Sequence, residues 1–149
     1  MTRIYPDHLP EIPDEPHAED FRVVQVDENR GLGVLVLRAF KAGDVLFRMN
    51  GVMTEEMTLH SLQMDDRWHL DDPDFAGRVS HCCDPNSRLD PTTRLFTALK
   101  DIEAGDLLTM DYDETEDVLF RGFNCSCGAE SCRSYIAGRS VTPAVAHVA

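Results

Sequence analysis

At 149 residues the chain is long enough for one domain with a modest core, and a composition of 42% hydrophobic and 28% charged residues is that of a globular protein. A formal charge of −13 weighs against nucleic acid, whose phosphates it would repel. It suits a basic partner such as a lysine-rich segment, although solubility or a salt-rich habitat accounts for it equally well. No apolar run nears the ~20 residues that span a membrane. The opening Met1-Thr2-Arg3-Ile4-Tyr5-Pro6-Asp7 lacks the apolar centre of a signal peptide, so no membrane partner and an intracellular location (cytoplasmic, or nuclear in a eukaryote) are expected. Oligomeric state is not readable from these features.

Residues 1–20 carry Pro6, Pro10, Pro13 and Pro16 among acidic residues, which predicts an extended arm without helix. Strands are predicted at Phe21 to Val26, at the apolar run Val34 to Leu37, and at Val45 to Met49 after the turn Lys41-Ala42-Gly43-Asp44. Thr58 to Met64 alternates loosely and reads as strand or short helix, and Asp65 to Pro73 as loop. Leu95 to Leu99 and Leu107 to Met110 are strand-like, joined by a second Ala-Gly-Asp turn at 104–106. Glu114 to Phe120 has the makings of a short helix, and the tail after Arg139 of a frayed end. Many short strands separated by Gly, Pro and Asp turns predict a mostly-β fold.

Three motifs carry possible chemistry. In Gly31-Leu32-Gly33, glycine permits positive φ or close approach of backbone to a ligand, with a plain tight turn as the default reading. The third glycine and following helix of a dinucleotide fingerprint are missing. Ser80-His81-Cys82-Cys83-Asp84-Pro85-Asn86 groups small polar side chains with two thiols. The run Cys125-Ser126-Cys127-Gly128-Ala129-Glu130-Ser131-Cys132 is a C-x-C-x4-C cluster, too cramped for mutual disulfides but able to fill three corners of a tetrahedron. A distant residue, Cys83, can supply the fourth corner, and thiolates of this kind favour zinc. Disulfides or scattered core thiols are the alternatives. Five cysteines leave one odd, however, and nothing else looks secreted.

Taken in order, the G-x-G turn, the His-x-Cys-x-Pro-Asn segment, Leu108-Thr109-Met110-Asp111-Tyr112 and the C-x-C-x4-C end followed by Arg133 resemble the SET-domain protein-lysine methyltransferases with a zinc-binding post-SET module. The resemblance covers about residues 21–138. It implies a SET-domain fold of small β-sheets in which a late strand and the Ser80-His81 segment thread past one another like a knot. The implied division is an arm at 1–20, the SET domain at 21–120, a zinc module at 121–138 and a tail at 139–149. S-adenosylmethionine would be contacted by Gly31, Leu32, Gly33, Ser80, His81 and Tyr112, with a protein lysine entering from the opposite face. One structural zinc would be held by Cys83, Cys125, Cys127 and Cys132, with Cys82 outside the set. Tyr112 would aim its hydroxyl at the reacting centre without serving as a base. Tyr135 would line the channel or pack on the zinc loop.

The chain departs from the family pattern at Ser80, where the family has asparagine, and at Met49-Asn50-Gly51-Val52, where it has Tyr-x-Gly-Glu. Met110 occupies a position that often holds an aromatic residue, and the stretch between Gly51 and Ser80 is short. Met49 and Met110 suggest a less aromatic pocket. A small-amine acceptor and a catalytically silent binding module are therefore weighed beside the protein-lysine reading.

Overall fold

The computed structural model describes residues 1–28 and 30–142. Twelve short strands and two 3-10 turns make up the regular structure, without an α-helix among the described residues. In chain order the strands are β1 (Phe21–Asp27), β2 (Gly31–Val36), β3 (Val45–Arg48), β4 (Val52–Thr54), β5 (Ser61–Gln63), β6 (His69–Asp71), β7 (Ser80–His81), β8 (Ser87–Asp90), β9 (Leu95–Ala98), β10 (Thr109–Met110), β11 (Phe123–Asn124) and β12 (Tyr135–Ile136). They form five small sheets, three of two strands and two of three, so the mostly-β expectation holds.

The core gathers aromatic residues from distant strands. Phe47 of β3 stacks on Phe96 of β9 at 4.5 Å and meets Phe75 edge-on at 4.8 Å, while Phe21 of β1 stacks on Phe40. All are buried, and ring pairs at these angles add attraction beyond the area they remove from water. Val34 and Val36 of β2 complete the packing, as the apolar run predicts.

The part of the fold that positions the site is a crossing of distant chain. Residues 105–108 run beside β2, with the Leu108 amide donating to Val34 and the Val36 amide to Asp106. The chain then continues as β10, which pairs in parallel with β7, Thr109 opposite Ser80 and Met110 opposite His81. Asn86 clamps the crossing: its amide nitrogen donates to Leu107 and its carbonyl oxygen accepts from the Thr109 amide. This is the knot-like threading that the family resemblance implies.

Residues 1–20, 65–73 and 114–120 differ from expectation, and the open reading of 58–64 is resolved. Residues 1–20 lack helix, as their prolines dictate, but double back instead of reaching out. Arg3 bridges to His17, its guanidinium pairs with Glu15, and Tyr5 and Leu9 are buried in the core. The 65–73 segment contains β6, the centre of a three-stranded sheet held by β4 and β5. Its strand is only three residues long, too short for a periodic signal to emerge. The ambiguous 58–64 stretch resolves to strand β5. The helix expected over 114–120 is only a 3-10 turn at Tyr112–Glu114. Tertiary bonds claim the rest: the Glu116 carboxylate accepts from the Gln63 amide, and the Asp117 amide donates to the Gln63 side chain. Of the tail, Arg139 to Thr142 form a turn in which the Thr142 hydroxyl accepts from the Ala137 amide, and the remainder lies outside the described residues.

One buried network ties the N-terminal segment to the core. The Tyr5 hydroxyl donates to the Asp72 carboxylate at 2.6 Å and accepts from the Asn50 amide at 3.0 Å. Asp72 also accepts from the amides of Phe75 and Ala76, at the start of the turn that leads into β7. Burial outweighs these hydrogen bonds and pushes the Asp72 carboxyl up to about 6. A folded value above the unfolded one means that Asp72 contributes stability below about pH 4 which is lost as pH rises through about 6, a swing on the order of 3 kcal/mol. The melting-temperature advantage of the wild type over Asp72→Asn is therefore expected to shrink as pH rises across that window. Thermal melts of the two proteins side by side check this, since the cysteine site is common to both.

Candidate active site and metal centre

Two clefts meet at Tyr112. The first, about 300 Å³, is walled by Leu32, Ser80, His81 and Tyr112 on one side and by the 123–127 segment on the other. The second, about 380 Å³, runs from Gly31 past Leu59, Gly77 and Glu116 to Phe120. Arg30, Leu32, Tyr112 and Phe123 line both.

The glycines of the β2 turn serve different ends. Gly31 takes φ +69°, a left-handed conformation that permits the chain to enter β2. Gly33 is needed for space: a Cβ there would lie 2.6 Å from Val26 and 3.1 Å from the Ser80 hydroxyl. Gly33 thus lets β2 approach β7 closely, and it lines neither cleft.

Tyr112 is fixed at both ends. Its hydroxyl donates to the Val79 carbonyl at 2.6 Å, and its backbone amide donates to His81 Nδ1 at 3.1 Å. Burial raises the phenol above its ordinary value, so it stays protonated at neutral pH. With its proton spent on Val79, the oxygen keeps lone pairs for a group in the cleft. Burial also lowers His81 to about 4, and because Nδ1 accepts a hydrogen bond the remaining proton sits on Nε2. Nε2 lies 3.3 Å from Cys83 Sγ.

Cys83 belongs to a cluster with Cys125, Cys127 and Cys132, whose sulfurs all lie within 4.8 Å of one another. Cys83 and Cys125 are 3.9 Å apart, close to the ~3.8 Å edge of a tetrahedron with ~2.3 Å zinc–sulfur bonds. The set therefore fits zinc. Burial opposes ionisation of Cys127, but the Cys83 and Ala129 amides and the neighbouring thiols pull it down to about 6, which readies a thiolate for a cation. The His81 Nε2–H directed at Cys83 and the Arg133 amide 3.4 Å from the same sulfur supply donors around that ligand. Cys82 is not one of the four: its thiol donates to the Asp84 carbonyl at 3.4 Å, although it also neighbours Cys127. Arg133 fastens the cysteine loop to the tyrosine strand through Asp111 at 2.6 Å.

Of the residues singled out by sequence, Leu32, Ser80, His81 and Tyr112 converge on the first cleft and Gly31 on the second. Met49 and Met110 are buried in the main core and line neither cleft, so their effect on a pocket is indirect. Tyr135 lies on the β11–β12 ribbon with its ring over Gly122, and is also absent from both linings. Phe123, Arg30, Arg78 and Arg121 were not anticipated. Only adjacency hints at two of them, Arg30 before Gly31 and Phe123 two places before Cys125.

A family model for the SET domain matches residues 31–113. The chain belongs to the SET-domain family. Among curated proteins, methyltransferase flvH of Aspergillus flavus is 36% identical over 61 residues, which is 40% of this chain and 34% of that protein. Among solved structures, KRYPTONITE in complex with mCHG DNA and SAH aligns over 77% of this chain and 28% of that one, with a TM-score of 0.65 and 22% identity. KRYPTONITE with mCHH DNA, an H3(1–15) peptide and SAH aligns over 77% and 29%, with a TM-score of 0.62 and 21% identity. The chain thus spans about a third of the length of these relatives.

Proposed function

We propose that the protein is an S-adenosylmethionine-dependent N-methyltransferase acting on a lysine side-chain amine. The observation that carries this reading is that two clefts share Tyr112, a tyrosine whose hydroxyl is fixed on the Val79 carbonyl. The first cleft suits the donor: Leu32, His81 and Phe123 offer apolar and aromatic surface, and Arg30, paired with Asp27, lines the same cleft. S-adenosylmethionine supplies an electrophilic sulfonium methyl when bound.

The chain's own residues then have an orientation task. Tyr112, held by Val79 and His81, keeps an oxygen lone pair at the junction to align amine and methyl. Phe123 and Leu32 exclude water there. The amine must arrive neutral, and from a reference pKa near 10.4 its deprotonation at pH 7 costs about 4.6 kcal/mol. A dry junction beside a cation lowers that cost, and no side chain at the junction is placed as a strong base.

We carry forward the division into an N-terminal segment, a SET domain at 21–120 and a zinc module at 121–138, and an intracellular setting that keeps the thiols reduced. DNA is present in the KRYPTONITE complexes, of which this chain covers 28% and 29%. The −13 charge weighs against a phosphate contact by the present chain. Retention of Tyr112 favours an enzyme over a silent binding module. Transfer of a labelled methyl group from S-adenosylmethionine into a cell lysate, with products separated by size, tests the reading. Label in protein lysine supports it, label only in small molecules moves the acceptor, and no label anywhere leaves a silent module.

A further inference from the structure

The second cleft has the opposite sign to the protein around it. The chain has 27 acidic and 14 basic side chains, yet Arg30, Arg78 and Arg121 all line this cleft, with His60 beside Arg78. Arg30 is paired with Asp27 at 3.1 Å. Arg78 spends its Nε on the Pro73 carbonyl and has no carboxylate within ion-pair distance among the described residues, nor does Arg121. Among the described residues the cleft's one carboxylate, Glu116, is buried and accepts from the Gln63 amide at 2.9 Å and the Thr115 hydroxyl at 2.7 Å. A lysine-rich segment entering here would meet two unneutralised guanidinium groups, and like charges brought together in a cleft repel. The cleft instead matches an anion, since guanidinium forks pair with carboxylates.

We propose that the methyl acceptor is an amine whose own molecule carries a nearby carboxylate, held by Arg78 and Arg121 while the amine reaches Tyr112. This rests on the amine-methylating reading above and reverses the basic partner that net charge alone suggests. Two sources share the chemistry: a free diamino acid such as lysine, with its own carboxylate, and a lysine flanked by aspartate or glutamate in a peptide. Transfer forms one N–C bond and breaks one S–C bond. The bonding pair of the broken bond stays on sulfur, and the proton lost by the acceptor ammonium goes to water.

The test pairs binding with turnover. Full-length protein, zinc-loaded and saturated with S-adenosylhomocysteine, is titrated calorimetrically with L-lysine, with lysinamide, and with two lysine peptides, one flanked by glutamate and one by arginine. Labelled-methyl transfer onto the same four compounds is followed separately. At least one carboxylate-bearing compound is expected to bind about tenfold more tightly than its neutral or basic counterpart, a difference of about 1.4 kcal/mol. Preference for L-lysine over lysinamide assigns the free amino acid, and preference confined to the glutamate-flanked peptide assigns the protein source. Arg121→Glu and Arg78→Glu, each on the cleft rim, should reverse the ratio toward the arginine-flanked peptide and not merely weaken all binding. Tighter binding of the arginine-flanked peptide by the wild type, binding of none of the four, or a ratio unmoved by both charge reversals overturns the inference. If the binding preference holds but no compound accepts label, the charge reading stands and the methyltransferase reading falls.

Discussion

Replacing Cys83 by serine, or withdrawing metal with a chelator, is expected to unmake the first cleft while the phenylalanine core persists. Cys125 and Cys127 stand in that cleft's wall, and Cys83 joins them from a segment 42 residues earlier. Structural zinc in small peptides is worth on the order of 10–16 kcal/mol at neutral pH, comparable to the whole stability of a small domain. Without metal, residues 121–138 would keep the Arg133–Asp111 pair and the buried Ile136, but β11 and β12 are only two residues each. The loss should also reach the tyrosine, because His81 is shared between Cys83 Sγ and the Tyr112 amide. The expected result is one zinc per chain in the wild type, none in Cys83→Ser, and loss of S-adenosylmethionine binding with the metal. Cys82→Ser should keep its zinc, as that thiol faces Asp84. Elemental analysis with calorimetry on both variants decides, and a Cys82 variant as depleted as the Cys83 variant would contradict the ligand set.

Tyr112→Phe is expected to lower turnover by ~10²-fold or more, in line with other positioned groups at a reacting centre, while cofactor affinity holds. Only one oxygen is removed, and the ring keeps its contacts with His81 at 5.1 Å and Phe123 at 6.0 Å. The lost hydrogen bond to Val79 sets the stability cost, about 1 kcal/mol for a bond of this type. The result to watch is the separation of the two effects: a steep fall in turnover with a small shift in melting temperature. Unchanged turnover would remove the hydroxyl from the reaction. A collapse of melting temperature with turnover per folded molecule intact would make it a structural clamp. Tyr135→Phe, on a half-exposed residue outside both clefts, should leave turnover near the wild type.

What could be read in advance follows from how local each signal is. The cysteine set was legible because C-x-C-x4-C confines three ligands to one loop, and the family resemblance implies Cys83, not Cys82, as the fourth. The strands bearing Phe21, Val34, Phe47 and Phe96 were legible from apolar runs bounded by turns. β6 and β8 were not, because His69-Leu70-Asp71 and Ser87-Arg88-Leu89-Asp90 carry one apolar residue each and are stabilised by partners rather than by pattern. The 114–120 helix failed because Gln63, about fifty residues away, binds the backbone and side chains that a helix would have needed. Arg78 and Arg121 were invisible as a pair, since only the fold brings the 76–78 turn and the 119–123 segment to one cleft. Net charge, a sum over the whole surface, pointed away from the sign of that cleft.

The parallel pairing of β7 with β10 has a consequence for how the native protein breathes. That ladder is two residues long on each strand, and its members lie on either side of the β8–β9 hairpin. Such a ladder has few contacts of its own and sits where residues 105–108 leave β2. Elements that rest on few contacts tend to be the first to open. Amide hydrogens at Cys82 and Tyr112, whose acceptors are the Met110 carbonyl and His81 Nδ1, should therefore exchange with solvent through a local opening. Those of Phe40 and Ile102, bonded to each other beneath the aromatic core, should wait for global unfolding. Metal would raise the protection of the first pair far more than that of the second, making exchange at Tyr112 a direct gauge of how tightly the cysteine loop bolts the junction of the two clefts shut.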